Sequence, residues 1–174
     1  MSLRIWSICA LLLAATACAR VPDEPAAEPS DEHEGRVLQF AFGTTDGQEV
    51  TSESTRGRVT VLLFVTTFDL SSQIAAKRLN QVLHTHHPQI NASAIALEAS
   101  NDAPLVDVFK SSLGLDYPVA IADMPELAQQ PTLGTIGAVP TAIVLSGEGR
   151  EIVRKSGVFS VHELESWVAR AQRP

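Results

Sequence analysis

The sequence predicts an α/β protein: a three-layer sandwich with a mixed central sheet and an N-terminal β-hairpin extension. Three observations predict it. Apolar, β-branched runs alternate along the chain with segments of helical spacing. An Asp-Gly turn opens the domain, and a Gly-rich turn joins two extended runs near its end. A capping box then precedes a closing helix. Strands that alternate with helices and finish in a hairpin argue for a layered sheet.

The elements follow in order. Val37 to Phe42 alternates as a strand should, and Thr45-Asp46-Gly47-Gln48 turns the chain toward a second short strand at Glu49 to Thr51. Val59 to Val65 is almost continuously apolar, the pattern of a strand buried on both faces. Helical spacing runs from Ser71 or Ser72 to His87, with Ile74, Leu79, Val82 and Leu83 near one face and Pro88 as the stop. Ala92 to Leu97 is a second buried strand. Asp102 to Leu113 is a helix with Asn101 or Asp102 as cap, Pro104 in its first turn and Gly114 at its end. A short extended stretch, Tyr117 to Ile121, and a short helix, Met124 to Gln130, come next. Ala142 to Leu145 and Glu151 to Ser156 flank the turn Ser146 to Arg150, and Ser160 to Ala171 closes the chain with Ser160 and Glu163 as its capping box. Phe40, Phe42, Phe64, Phe109 and Trp167 fall on apolar faces and are expected in the core.

The first residues have another character. Arg4 is a short positive region, and Ile5 to Ala15 is an apolar stretch of eleven residues, suited to a signal peptide and too short to cross a bilayer. Ala15-Thr16-Ala17-Cys18 resembles a bacterial lipobox, with Ala15 where Leu is preferred. The resemblance implies a signal peptide over 1–17 and lipidation at Cys18; a plain cut after Ala17 is the alternative. Several acyl chains on one Cys would hold a membrane firmly. Residues 18–35 carry that attached end and a Pro-, Ala- and acid-rich spacer with no apolar period; His33 within it reads as a solvated side chain. The domain occupies 36–174. That organisation predicts an extracytoplasmic protein of the bacterial cell envelope.

Charge and cysteine content exclude several functions. The chain has 174 residues and a formal net charge of −7, and residues 1–17 contribute only Arg4 to it. An acidic chain without a basic stripe is not expected to bind nucleic acid. The cysteines are Cys9 and Cys18, so none is present from Ala19 to Pro174. The domain can therefore form no internal disulfide and presents no thiolate. No phosphate loop, dinucleotide fingerprint or repeat is visible, and no cofactor is expected. His84 and His87, three apart, are better explained by the helix C-terminus than by a metal. Ser71 or Ser72 with Asp69 lacks the nucleophile elbow of a hydrolase.

Four stretches resemble one family. TTDGQEVTSESTRGRVTVLLFVTTF, DVFKSSLGLDYPVAIAD, the run Gly134 to Thr141, and GEGREIVRKSG with the last helix occur in the order and spacing of the TlpA/ResA-like thiol–disulfide oxidoreductases. These membrane-tethered proteins belong to the thioredoxin superfamily, and peroxiredoxins are a looser match. The resemblance implies a thioredoxin-like fold with a cis peptide bond before Pro140. It sets Asp69-Leu70-Ser71-Ser72 on the family's Cys-x-x-Cys, so both active-site cysteines are replaced, at Asp69 and Ser72. Exchange needs a sulfur that can be attacked and can leave, and peroxide reduction needs a thiolate. No catalytic residue is therefore assigned.

Asp69 has two readings. Asp and Ser are preferred helix caps, so good caps filled the gap. Alternatively, Phe68, Asp69, Ser72, Val139 and Pro140 still form a pocket for an extended peptide or an envelope protein. An oxidoreductase-related role within an envelope redox system is the competing function.

Overall fold

The computed structural model describes residues 35–173. The expected signal peptide, Cys18 and His33 lie outside the described residues. Among the described residues no helix is long and apolar enough to cross a membrane.

Among the described residues, seven strands and four α-helices follow in chain order: β1 (Ala41–Gly43), β2 (Glu49–Thr51), β3 (Val59–Val65), α1 (Leu70–His86), β4 (Ile90–Ala96), α2 (Ala103–Leu113), β5 (Val119–Ile121), α3 (Met124–Ala128), β6 (Thr141–Leu145), β7 (Glu151–Ser156) and α4 (Val161–Ala171). A five-stranded sheet has the order β5-β4-β3-β6-β7, and β1 and β2 form a separate two-stranded hairpin. β3 pairs in parallel with β4, and β4 with β5, while β6 runs antiparallel to both β3 and β7.

β3 explains the two-sided core. Val61, Leu63 and Val65 point to a cluster with Ala75, Leu79, Val106, Phe109, Trp167 and Val168, so α1, α2 and α4 cover one face. Leu62 and Phe64 point to the other cluster, with Leu38, Phe40, Phe42, Val50, Leu127, Leu133 and Ile143. That face is covered by the hairpin, the chain before it, α3 and the segment leading into β6. The five aromatic residues expected in the core are all buried.

Local departures have local causes. The expected strand at Val37–Phe42 keeps its alternation, since Leu38, Phe40 and Phe42 are buried, but only its end joins a ladder. Its backbone is bonded elsewhere: Leu38 N–H donates to Gly149 O, and Gln39 N–H donates to Thr132 Oγ1. Ile74 is exposed rather than on the buried face of α1. It lies five positions before Leu79, which carries it about 140° around a helix, whereas Ala75, Ala76, Leu79, Val82 and Leu83 share the buried side. α1 also starts earlier than expected, because Asp69 rather than Ser71 is its cap. α3 stops at Ala128, short of Gln130, while β4 begins at Ile90 and ends at Ala96. α4 has both halves of its capping box.

Candidate functional site

The site is built where β3 ends and β6 begins. Phe64 lies opposite Thr141 in the antiparallel register, so the turn 66–69 and the segment that ends at Pro140 emerge from the same end of the sheet. The Val139–Pro140 peptide bond is cis, as the resemblance implies. Thr141 Oγ1 donates to Ala138 O and lies 2.8 Å from Ser156 Oγ, which pins the start of β6.

Four side chains hold the turn itself. Asp69 is the N-cap of α1, and its Oδ2 accepts from both the backbone N–H and the hydroxyl of Ser72, each at 2.8 Å. Ser72 Oγ in turn accepts from Thr66 N–H at 3.3 Å. On the other side, Glu98 Oε1 accepts from Thr67 N–H at 2.8 Å and from Thr67 Oγ1 at 2.9 Å. Gln73 Nε2 donates to Thr67 O. The backbone on either side of Phe68 is thereby fixed, and the ring stands out in solvent with 80% of its surface exposed.

Electrostatically the turn carries a stable anion. The Ser72 hydroxyl, followed by the Ser72 N–H, holds the Asp69 carboxyl below the usual carboxylate range. A helix N-terminus favours that charge.

The five residues expected to bind divide into two groups. Phe68, Asp69 and Val139 reach the surface at this end. Ser72 is fully buried and Pro140 is buried. They shape the site from beneath, and a molecule lying on it would not touch the Ser72 hydroxyl. The reason is the cap: a side chain that must reach back to Asp69 and Thr66 turns away from solvent. A hydrolytic role for Ser72 fails on the same geometry, because both partners of its Oγ are accounted for and neither is a histidine. His84 Nε2 lies 2.7 Å from Asp116 Oδ2 on the surface. Among the described residues no group of His, Cys, Asp and Glu could hold a metal ion.

Sequence reasoning missed Glu98 and Gln73, which tie down the turn, and also Leu105 and Val108. The latter two, with Phe68, Thr67, Gln73 and Phe109, line an open groove of about 300 Å³ beside the turn. No local pattern marks Glu98; the parallel pairing of β3 and β4 carries it to Thr67.

This geometry has well-defined structural counterparts. A thiol:disulfide interchange protein of the thioredoxin family from Chlorobium tepidum TLS superposes with a TM-score of 0.69 at 23% identity, over 82% of this chain and 99% of that one. A DsbF homologue from Corynebacterium diphtheriae gives 0.72 at 16% identity, over 87% and 96%. StoA from Bacillus subtilis gives 0.59 at 20% identity, over 74% and 94%. No family model matches the sequence, and no curated protein matches it. The chain has the thioredoxin-like α/β fold with an added N-terminal hairpin, and its structural neighbours include proteins named as thiol:disulfide interchange proteins and a disulfide oxidoreductase.

Proposed function

We propose that this chain is a lipoprotein of the cell envelope whose thioredoxin-like domain binds a protein or peptide and performs no thiol chemistry of its own. The observation that carries this reading is the absence of cysteine from residues 19–174, in a fold whose neighbours are disulfide oxidoreductases. Disulfide exchange moves electrons through sulfur; a carboxylate at Asp69 and a buried hydroxyl at Ser72 have no such route. What remains at this end is a rigid turn, a projecting Phe68 and the half-buried Val139, the features of a recognition surface. An extracytoplasmic location is supported by the lipobox-like run ending at Cys18, and one of the structural neighbours is a secreted disulfide oxidoreductase from Mycobacterium tuberculosis. A second reading is favoured by the company the fold keeps: the domain serves an envelope redox system by holding a partner whose own thiols react.

The full chain should reduce neither insulin disulfides nor peroxide. Activity that persists after contaminants are removed, and that Phe68→Ser lowers, would overturn the non-catalytic reading. Capture of an envelope protein should fall with Phe68→Ser and be unaffected by Arg173→Ser at the opposite end. Equal capture by all three proteins would refute binding at this site. Restoring sulfur with Asp69→Cys and Ser72→Cys together should create measurable disulfide exchange; a folded but inert double variant would show that the turn is not the counterpart of Cys-x-x-Cys. Cys18→Ala should release the chain from membranes, and unchanged membrane association would exclude lipid anchoring there.

A further inference from the structure

The described surface is polarised in both charge and apolarity. β3, β4 and β5 are parallel, so their C-terminal ends coincide with the start of β6 and the end of β7. The connections after β3, β4 and β5, continuing through α3 to Pro140, hold Asp69, Glu98, Asp102, Asp123 and Glu126 and not one Lys or Arg. Arg56, Arg58, Arg150 and Arg173 lie in the connections and the chain terminus at the opposite end, together with Glu53, Asp116 and Glu148, so that end is close to neutral. Among these acids, burial, and then the neighbouring Asp123, push the Glu126 carboxyl above the usual range.

Exposed apolar side chains gather at the same end. Every large apolar residue exposed among the described residues is in these connections, in the loop after β7, or in the first two turns of the helix that follows. Phe68, Leu105 (53% exposed) and Val108 (61% exposed) flank the groove of about 300 Å³ between α1 and α2. Clustered apolar exposure rimmed by charge marks an interaction surface.

We infer that this groove docks a cationic polypeptide segment carrying apolar side chains, which settle against Phe68, Leu105 and Val108 while its Lys or Arg residues face the acidic rim. The inference rests on the binding function proposed above and assigns the partner's chemistry. Charge complementarity decides among occupants, since like charges brought together oppose association. A second copy docking by the same end would set acid against acid. A copy docking head to tail would offer arginines but no exposed large apolar residue to fill the groove. An anionic lipid surface would be repelled.

The test uses the full chain and fluorescent twelve-residue peptides of three kinds: alternating Lys and Leu, alternating Glu and Leu, and alternating Lys and Ser. By anisotropy, the Lys/Leu peptide should bind at least about tenfold more tightly than either other peptide. Its affinity should fall about tenfold or more as salt rises from about 50 to about 500 mM, because exposed charges are then screened. Leu105→Ser with Val108→Ser should weaken it about tenfold by removing apolar contact, and Asp102→Lys about threefold or more; all three positions reach solvent, so the fold is retained. Equal binding of the Glu/Leu peptide, insensitivity to salt, or no effect of these variants would overturn the inference. So would binding of none of the peptides, uptake onto phosphatidylglycerol vesicles that Leu105→Ser with Val108→Ser abolishes, or self-association lost with Val108→Ser. Glu/Leu binding that Phe68→Ser abolishes would remove the charge assignment and leave the proposed function standing. Envelope capture insensitive to Phe68→Ser would remove both.

Discussion

Asp69→Ala probes the site through its own framework. In the folded chain Asp69 Oδ2 accepts two hydrogen bonds, from the Ser72 N–H and the Ser72 hydroxyl, both at 2.8 Å. Alanine removes the helix cap, at a cost of about 0.5–2 kcal/mol. It also leaves a fully buried hydroxyl without its acceptor, which costs about 1–3 kcal/mol more, less whatever the hydroxyl recovers by rotating. The expected loss is about 2–3 kcal/mol at neutral pH. Urea unfolding followed by far-UV circular dichroism measures it directly. The pH dependence has a fixed sign. The folded carboxyl ionises below its ordinary range, so its contribution is complete above the unfolded pKa and disappears as pH falls through the folded one. Wild type and Asp69→Ala should therefore converge in acid. A cycle with Ser72→Ala should report about 1 kcal/mol or more of coupling. A loss below about 0.5 kcal/mol, or no coupling, would refute the cap as the element that fixes the turn.

Three further outcomes follow from buried or capped groups. Arg154→Ala should cost about 3–5 kcal/mol in urea unfolding, because Glu151, 1% exposed, would keep a buried charge with its guanidinium partner gone. Tyr117→Phe should cost about 1 kcal/mol by thermal unfolding, the hydroxyl being buried and donating to Ala76 O. Ser160→Ala should cost about 1 kcal/mol at neutral pH by breaking the capping box. That deficit should shrink in acid, since the Ser160 N–H and hydroxyl hold Glu163 below its ordinary range and their help is lost once it protonates.

Much of the fold was legible from the chain because its signals are local. The unbroken apolar run Val59–Val65 marked the central strand, the Asp-Gly turn marked the hairpin, and Ser160 with Glu163 marked the last helix. The site was legible in outline only. Asp69 could be assigned to a helix start, but the burial of Ser72 could not, since a serine in the first turn reads the same whether it faces water or bonds back to the cap. Ile74 was misplaced because apolar identity alone does not fix an angle on a helix when small alanines supply the buried side.

By itself the sequence determined the order of elements, the surplus of acid over base and the absence of cysteine between Ala19 and Pro174. These are properties of neighbours along the chain or of composition, and folding does not alter them. Only the tertiary structure decided that β6 enters beside β3 and brings Pro140 to the end of the sheet where Asp69 caps α1. It alone carried Glu98 to Thr67 and set Leu105 and Val108 beside Phe68. It also buried Glu151 with Arg154 on one face of β7, where the register shifts between Val144 and Leu145. Strand pairing and helix packing join residues far apart in the chain, and no local pattern records which of them will meet.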